Sequence, residues 1–168
     1  MSITSNAVPS ELGSPYFKRN KALCEKWEQY IVSKGGKVKG YYNSWSIAII
    51  SKVKVKKTWL IDIKKSTFSN GYIWFSPKYQ NLQETITYTT IFKNTGCGNF
   101  CISRSIFSRK KRSHPFYSEV RELLKKEFED KSLYRVRFKN SELTIIIHNK
   151  NDGFDLADRI LGFDFNLG

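Results

Sequence analysis

Apolar and polar residues along this chain repeat with two different periods, and each change of period marks an element. From Pro15 onward, PYFKRNKALCEKWEQYIVSK carries Tyr16, Leu23, Trp27, Tyr30 and Ile31 near helical spacing. Ser14 before Pro15 has the form of an N-cap followed by a first-turn proline, and Gly35-Gly36 has the form of a stop. A first helix is therefore expected between these signals.

The period then drops to two. Between Trp45 and Ile63 the odd positions are Trp45, Ile47, Ile49, Ser51, Val53, Val55, Lys57, Trp59, Ile61 and Ile63, and the even side holds only Ala48, Ile50 and Leu60 as apolar residues. Such alternation describes a sheet with one buried face. The run is too long for one ordinary strand, so a turn or bend is expected between Ser51 and Lys57. Asn70-Gly71 suits a tight hairpin turn, because both residues tolerate positive φ. It is expected to join a strand ending near Phe68 to GYIWFSPKY. A further hairpin is expected from TITYTTIF, through KNTGCGN, to FCISRSIF.

Helical spacing returns after the basic run at 109–112. Ser113 and Pro115 open a second helix, whose stripe is Phe116, Val120, Leu123, Leu124 and Phe128. SLYRVRF and ELTIIIHN form another hairpin around Asn140-Ser141, and a short helix is expected across Asp155 to Leu161. The pattern predicts an α+β fold: N-terminal helix, antiparallel β-meander of hairpins, second helix, C-terminal β-hairpin and short helix, packed as one domain. Residues 1–13 are expected to form a flexible tail, and residues 14–168 the single domain.

Composition supports a folded core, since 40% of the 168 residues are hydrophobic and 15% aromatic. No apolar stretch approaches the roughly 18 residues that cross a bilayer, and the polar N-terminus lacks a secretory apolar region. Three cysteines make no even disulfide framework, which favours a reducing, cytoplasmic location.

Charge changes the picture more. Residues 34–112 carry 16 Lys and Arg against two acids, Asp62 and Glu84, while the remainder carries 13 of each sign. The whole net charge of +14 therefore belongs to the middle of the chain. A coding bias toward AT-rich codons accounts for part of it, given 21 Lys against 8 Arg and 16 Ile against 4 Ala. Such a bias does not explain the missing acids.

Two basic features follow. If Val53, Val55, Ile61 and Ile63 face the core, then Lys52, Lys54, Lys56 and Lys64 project from the other face, with Lys57 and Lys65 nearby. Tyr41, Tyr42, Tyr72 and Trp74 are close in sequence and are candidates for base stacking. A cationic surface interleaved with rings grips single strands by neutralising phosphates and stacking bases. The competing reading is edge protection, in which lysines discourage sheet-to-sheet association. The second feature is the run Arg109, Lys110, Lys111 and Arg112, placed before a helix N-terminus, where unpaired N–H groups already favour an anion. A solvated basic loop is its plain alternative.

Catalytic signatures are weaker. Asp62-Ile63-Lys64 matches the D-x-K half of the restriction-endonuclease-like signature, but no acid between Glu28 and Asp62 supplies the second carboxylate. Cys97, Cys101, His114 and His148 do not have the spacing of a compact zinc module. Gly96-Cys97-Gly98 is not followed by the G-K-[ST] of a phosphate loop. No catalytic residue, metal or cofactor is indicated. The expectation is a small non-enzymatic module that engages a polyanion, nucleic acid first, without strong sequence preference. An acidic partner protein and a small phosphorylated ligand or nucleotide are the alternatives.

Overall fold

The computed structural model describes residues 3–69, 80–92, 99–103, 116–129, 134–148 and 153–164. Its described elements are four helices of more than one turn and eight strands, giving an α+β fold with a mostly antiparallel sheet. The strands are β1 (Ile3–Ser5), β2 (Lys37–Tyr42), β3 (Ser46–Lys54), β4 (Thr58–Ser69), β5 (Gln80–Ile91), β6 (Phe100–Ser103), β7 (Tyr134–Lys139) and β8 (Glu142–His148). The helices are α1 (Pro15–Ser33), α2 (Phe116–Leu123), α3 (Lys125–Glu129) and α4 (Phe154–Gly162). Strand neighbours run β1-β2-β3-β4-β5-β8-β7-β6. Within the segment expected to be one domain, residues gather into two compact units. An N-terminal unit holds Met1–Val53 and Ile61–Thr85, and a C-terminal unit holds Lys54–Leu60 and Ile86–Gly168.

In the N-terminal unit, α1 begins where the sequence signals it. The Ser14 hydroxyl accepts from the Tyr16 amide at 3.2 Å, and Pro15 takes the first helical position without losing a bond. The helix ends because Gly35 turns left-handed at φ 69°. The Gly36 amide then donates to the Ile31 carbonyl and the Gly35 amide to that of Val32, each at 2.9 Å, closing the orphan carbonyls. Gly36 also sits where a Cβ would strike Ile31, Val53 and the Lys52 carbonyl, so the chain can pass closely from helix to sheet.

The inner face of this unit is apolar. Phe17, Leu23, Cys24, Trp27 and Ile31 of α1 are buried, as are Val38, Tyr42, Ile47, Ile49, Val53, Ile61 and Ile63 of the strands. The Phe17 and Tyr42 rings pack at 5.5 Å. The expected turn falls at residues 55–57, where the Val55 amide donates to the Lys57 carbonyl. Three residues separate β3 from β4, so the odd-in, even-out alternation carries through the reversal unchanged. Two odd residues depart from it: Trp45, in the turn before β3, and Val55, in the turn after it, are both exposed. Turn backbone does not hold the strand's alternation.

Residues 1–13, expected as a flexible tail, include a short strand. Ile3, Thr4 and Ser5 pair parallel with Gly40, Tyr41 and Tyr42, and the Asn6 amide donates to the Tyr42 carbonyl. A short 3₁₀ turn at Pro9–Glu11 follows, and its Glu11 carbonyl accepts from the buried Ser44 hydroxyl.

In the C-terminal unit, β7 and β8 form the expected hairpin, with Asn140 and Ser141 both at positive φ. The expected hairpin between TITYTTIF and FCISRSIF does not form. β6 pairs antiparallel with β7 instead, Phe100 opposite Phe138 with rings stacked at 5.7 Å, and β8 is the neighbour of β5. The Phe92 amide, just past β5, donates to the Ser141 carbonyl at 2.8 Å. Non-local ring packing thus overrides the local turn signal.

The second helix is interrupted at Leu124, giving α2 and α3, with Val120, Leu123 and Leu124 buried. The Arg159 guanidinium of α4 forks onto the Glu127 carboxylate and donates to the Leu123 carbonyl at 2.8 Å. The proposed cap of the second helix, Ser113, with Pro115, lies outside the described residues, as do Asn70-Gly71 and all of GYIWFSPKY. No helix among the described residues is long and apolar enough to cross a membrane.

Candidate polyanion-binding face

The alternation that buries one face of β2, β3 and β4 must turn the other face outward. On β2 that face carries Lys37, Lys39 and Tyr41, all exposed. On β3 it carries Ile50, Lys52 and Lys54, exposed, and Ala48, half-buried. On β4 it carries Lys64, exposed, with Asp62 and Ser66 half-buried.

Register fixes how the lysines meet. Lys37 stands directly opposite Lys52, Lys39 opposite Ile50, and Tyr41 opposite Ala48. Like charges directly opposed on one face are destabilising, so the Lys37–Lys52 pair works against the fold. Tyr41, 47% exposed, offers a ring further along the same face. The Asp62 carboxylate accepts from Lys64 at 2.8 Å and raises the lysine's pKa above its ordinary value. Asp62 and Lys64 thus form a surface pair, and among the described residues no group of three or more metal-ligating side chains gathers anywhere.

The other residues expected at such a surface have different fates. Lys56, in the turn, is ion-paired with Asp164 at 3.1 Å. Lys57 lies over the Phe92 ring at 3.8 Å, and partial burial lowers its pKa. Lys65 faces inward: its side chain is only 4% exposed and stands 3.9 Å from the 7%-exposed carboxylate of Glu84. A buried ammonium opposite a carboxylate cannot reach a phosphate outside. Tyr42 is likewise core rather than stacking surface, and burial pushes its phenol upward in pKa. Tyr72, Trp74 and the run Arg109, Lys110, Lys111, Arg112 lie outside the described residues.

In the N-terminal unit the face therefore unites Lys52, Lys64 and Tyr41 from the expected set. Lys54, outward on the same strand as Lys52, is the first residue of the C-terminal unit. The face adds Lys37 and Lys39, which the sequence places in the basic segment without assigning them a side. Their signal is KVKGYY, where exposed Lys37, Lys39 and Tyr41 alternate with Val38 and Tyr42, which are buried. Gly40 at its centre shortens that signal. A Cβ there would collide with the Ala48 carbonyl oxygen, so the strand carries no side chain at the position.

No protein-family model, curated protein or solved structure matches the chain. Its chemistry is accordingly argued from its own residues.

Proposed function

We propose that the outer face of β2, β3 and β4 engages a polyanion, and that this polyanion is nucleic acid held through its phosphates without strong sequence preference. The observation that carries this reading is the Lys37–Lys52 pair. Edge protection accounts for Lys37 and Lys39, because among the described residues β1 pairs only with the Gly40–Tyr42 part of β2. It does not account for Lys52 or Lys64, which lie on interior strands flanked on both sides. Two cations opposed across β2 and β3, with Asp62 already committed to Lys64, are relieved by a bound anion. Tyr41 supplies a stacking surface worth about 1–3 kcal/mol per base.

Anisotropy of a labelled single-stranded oligonucleotide, titrated at several salt concentrations, tests the reading. Log affinity should fall linearly with log salt, with a slope near −0.7 for each phosphate neutralised. The Lys37→Glu/Lys52→Glu variant should bind at least tenfold more weakly while unfolding as before. Absence of binding to any DNA or RNA, salt-independent binding, or tighter binding to polyglutamate of matched charge would overturn it.

A further inference from the structure

A second basic stripe lies in the C-terminal unit, outside the segment that carries the net charge. Strand β7 buries Tyr134, Val136 and Phe138 and turns Arg135, Arg137 and Lys139 outward, all three exposed. From Arg135 to Phe138 it is an interior strand, with β6 on one side and β8 on the other. Edge protection therefore has no bearing on it.

The neighbours leave the guanidinium groups accessible. Arg137 lies between Cys101 of β6 and Thr144 of β8, and Arg135 lies between Ser103 and Ile146. None of these four side chains is acidic, and among the described residues neither arginine has a carboxylate partner. Lys139 differs, since it stands opposite Glu142, whose carboxylate also accepts from the Thr144 hydroxyl at 3.3 Å.

The residue type is informative. This chain uses 21 Lys against 8 Arg, so a plain positive charge arrives as lysine by default. Two arginines at alternate positions of one interior strand depart from that default. Guanidinium differs from ammonium in its planar fork, which grips phosphate through two parallel hydrogen bonds. Alternate residues on an antiparallel strand are separated by about 6.8 Å, a spacing comparable with that of successive phosphates along an extended polynucleotide strand.

We propose that Arg135 and Arg137 form a second phosphate-binding stripe, which holds consecutive phosphodiesters of a single-stranded nucleic acid. Lys139 stands opposite the acidic Glu142 and contributes less. Among the described residues of β6, β7 and β8, no outward side chain is an exposed Phe, Tyr or Trp, so the stripe holds backbone and does not stack bases. It is carried by its own residues and stands whether or not the lysine face of the other unit binds.

The test uses the full chain, a labelled oligo-dT and the same strand made abasic, in the wild-type and Lys37→Glu/Lys52→Glu backgrounds. In both backgrounds Arg135→Gln/Arg137→Gln should weaken binding and reduce the salt slope by about 1.4, which is two phosphates at roughly 0.7 each. Arg135→Lys/Arg137→Lys should keep the slope and still lose severalfold in affinity. Lys139→Gln should change affinity less than either. In the Lys37→Glu/Lys52→Glu background the abasic strand should bind as well as oligo-dT. Unchanged affinity and slope in Arg135→Gln/Arg137→Gln, with unaltered unfolding, would overturn the proposal. Full retention of affinity by the lysine pair would overturn the forked contact. Loss of binding in Lys37→Glu/Lys52→Glu that leaves nothing for the arginine variants to reduce would assign all binding to the other face and sink the stripe.

Discussion

Lys64 and Lys65 are consecutive on β4, yet they inhabit opposite faces of the same sheet under opposite rules. Outside, Lys64 pairs with Asp62 in water, and elsewhere on the same face Lys37 and Lys52 stand directly opposed. Inside, Lys65 is buried and matched by Glu84, with the Cys24 thiol of α1 close enough to feel its charge. Water screens the outer repulsion to a few tenths of a kcal/mol, whereas burial makes an unmatched ion cost several. The inner lysine is tied to the fold, whereas the outer ones contribute little to it.

The sharpest way to break this contrast is at Glu84. Replacing it with Gln leaves the Lys65 ammonium buried without that carboxylate, at an expected cost of about 3–5 kcal/mol. Urea denaturation measures it. The paired change Lys65→Met/Glu84→Leu should recover most of the loss, because an apolar pair of similar size replaces a buried ion pair with little penalty. Lys64→Met, one residue away, should change stability by less than about 1 kcal/mol.

A smaller effect concerns Cys24. Burial is the main cause that pushes its thiol from 9.0 to about 12, and Lys65 opposes the shift. The folded chain thus keeps the proton through a window in which the unfolded chain gives it up. Stability from this group is complete below about pH 9 and is lost progressively as the pH rises toward about 12. Cys24→Ala should remove that component of the pH dependence of unfolding. In the native protein at neutral pH, a thiol reagent should label exposed Cys101 and spare Cys24.

The smallest effect tests the outer face itself. Lys37→Glu converts the Lys37–Lys52 opposition into a cross-strand ion pair, so stability should rise by about 0.2–1 kcal/mol while oligonucleotide affinity falls. Opposite signs for stability and binding are the signature of a surface that serves a ligand. If both fall, or neither moves, the lysines are ordinary surface.

Much of this is legible along the chain, for identifiable physical reasons. Ser14-Pro15 and Gly35-Gly36 bound α1 because capping is local chemistry. The outward side of Lys52, Lys54 and Lys64 follows from alternation alone. The same alternation turns Lys65 inward, but its match is hidden because Glu84 comes from a later strand and meets it only after folding. The place of β6 is hidden because its partner is set by Phe100 and Phe138, far apart in sequence. β1 is hidden because three residues among polar neighbours give no periodicity.

That short strand also sets an order in time. β1 lies parallel beside β2, and the chain between them is α1, so Ile3–Ser5 can dock only after a 19-residue helix has been laid across the gap. Contacts that close a long loop are won late and given up early. The Asn6 amide, and that of Thr4 on the same side of the strand, should therefore exchange with solvent through a local opening that leaves β3 and β4 protected. The chain's first residues are expected to be the last to settle into the sheet and the first to leave it.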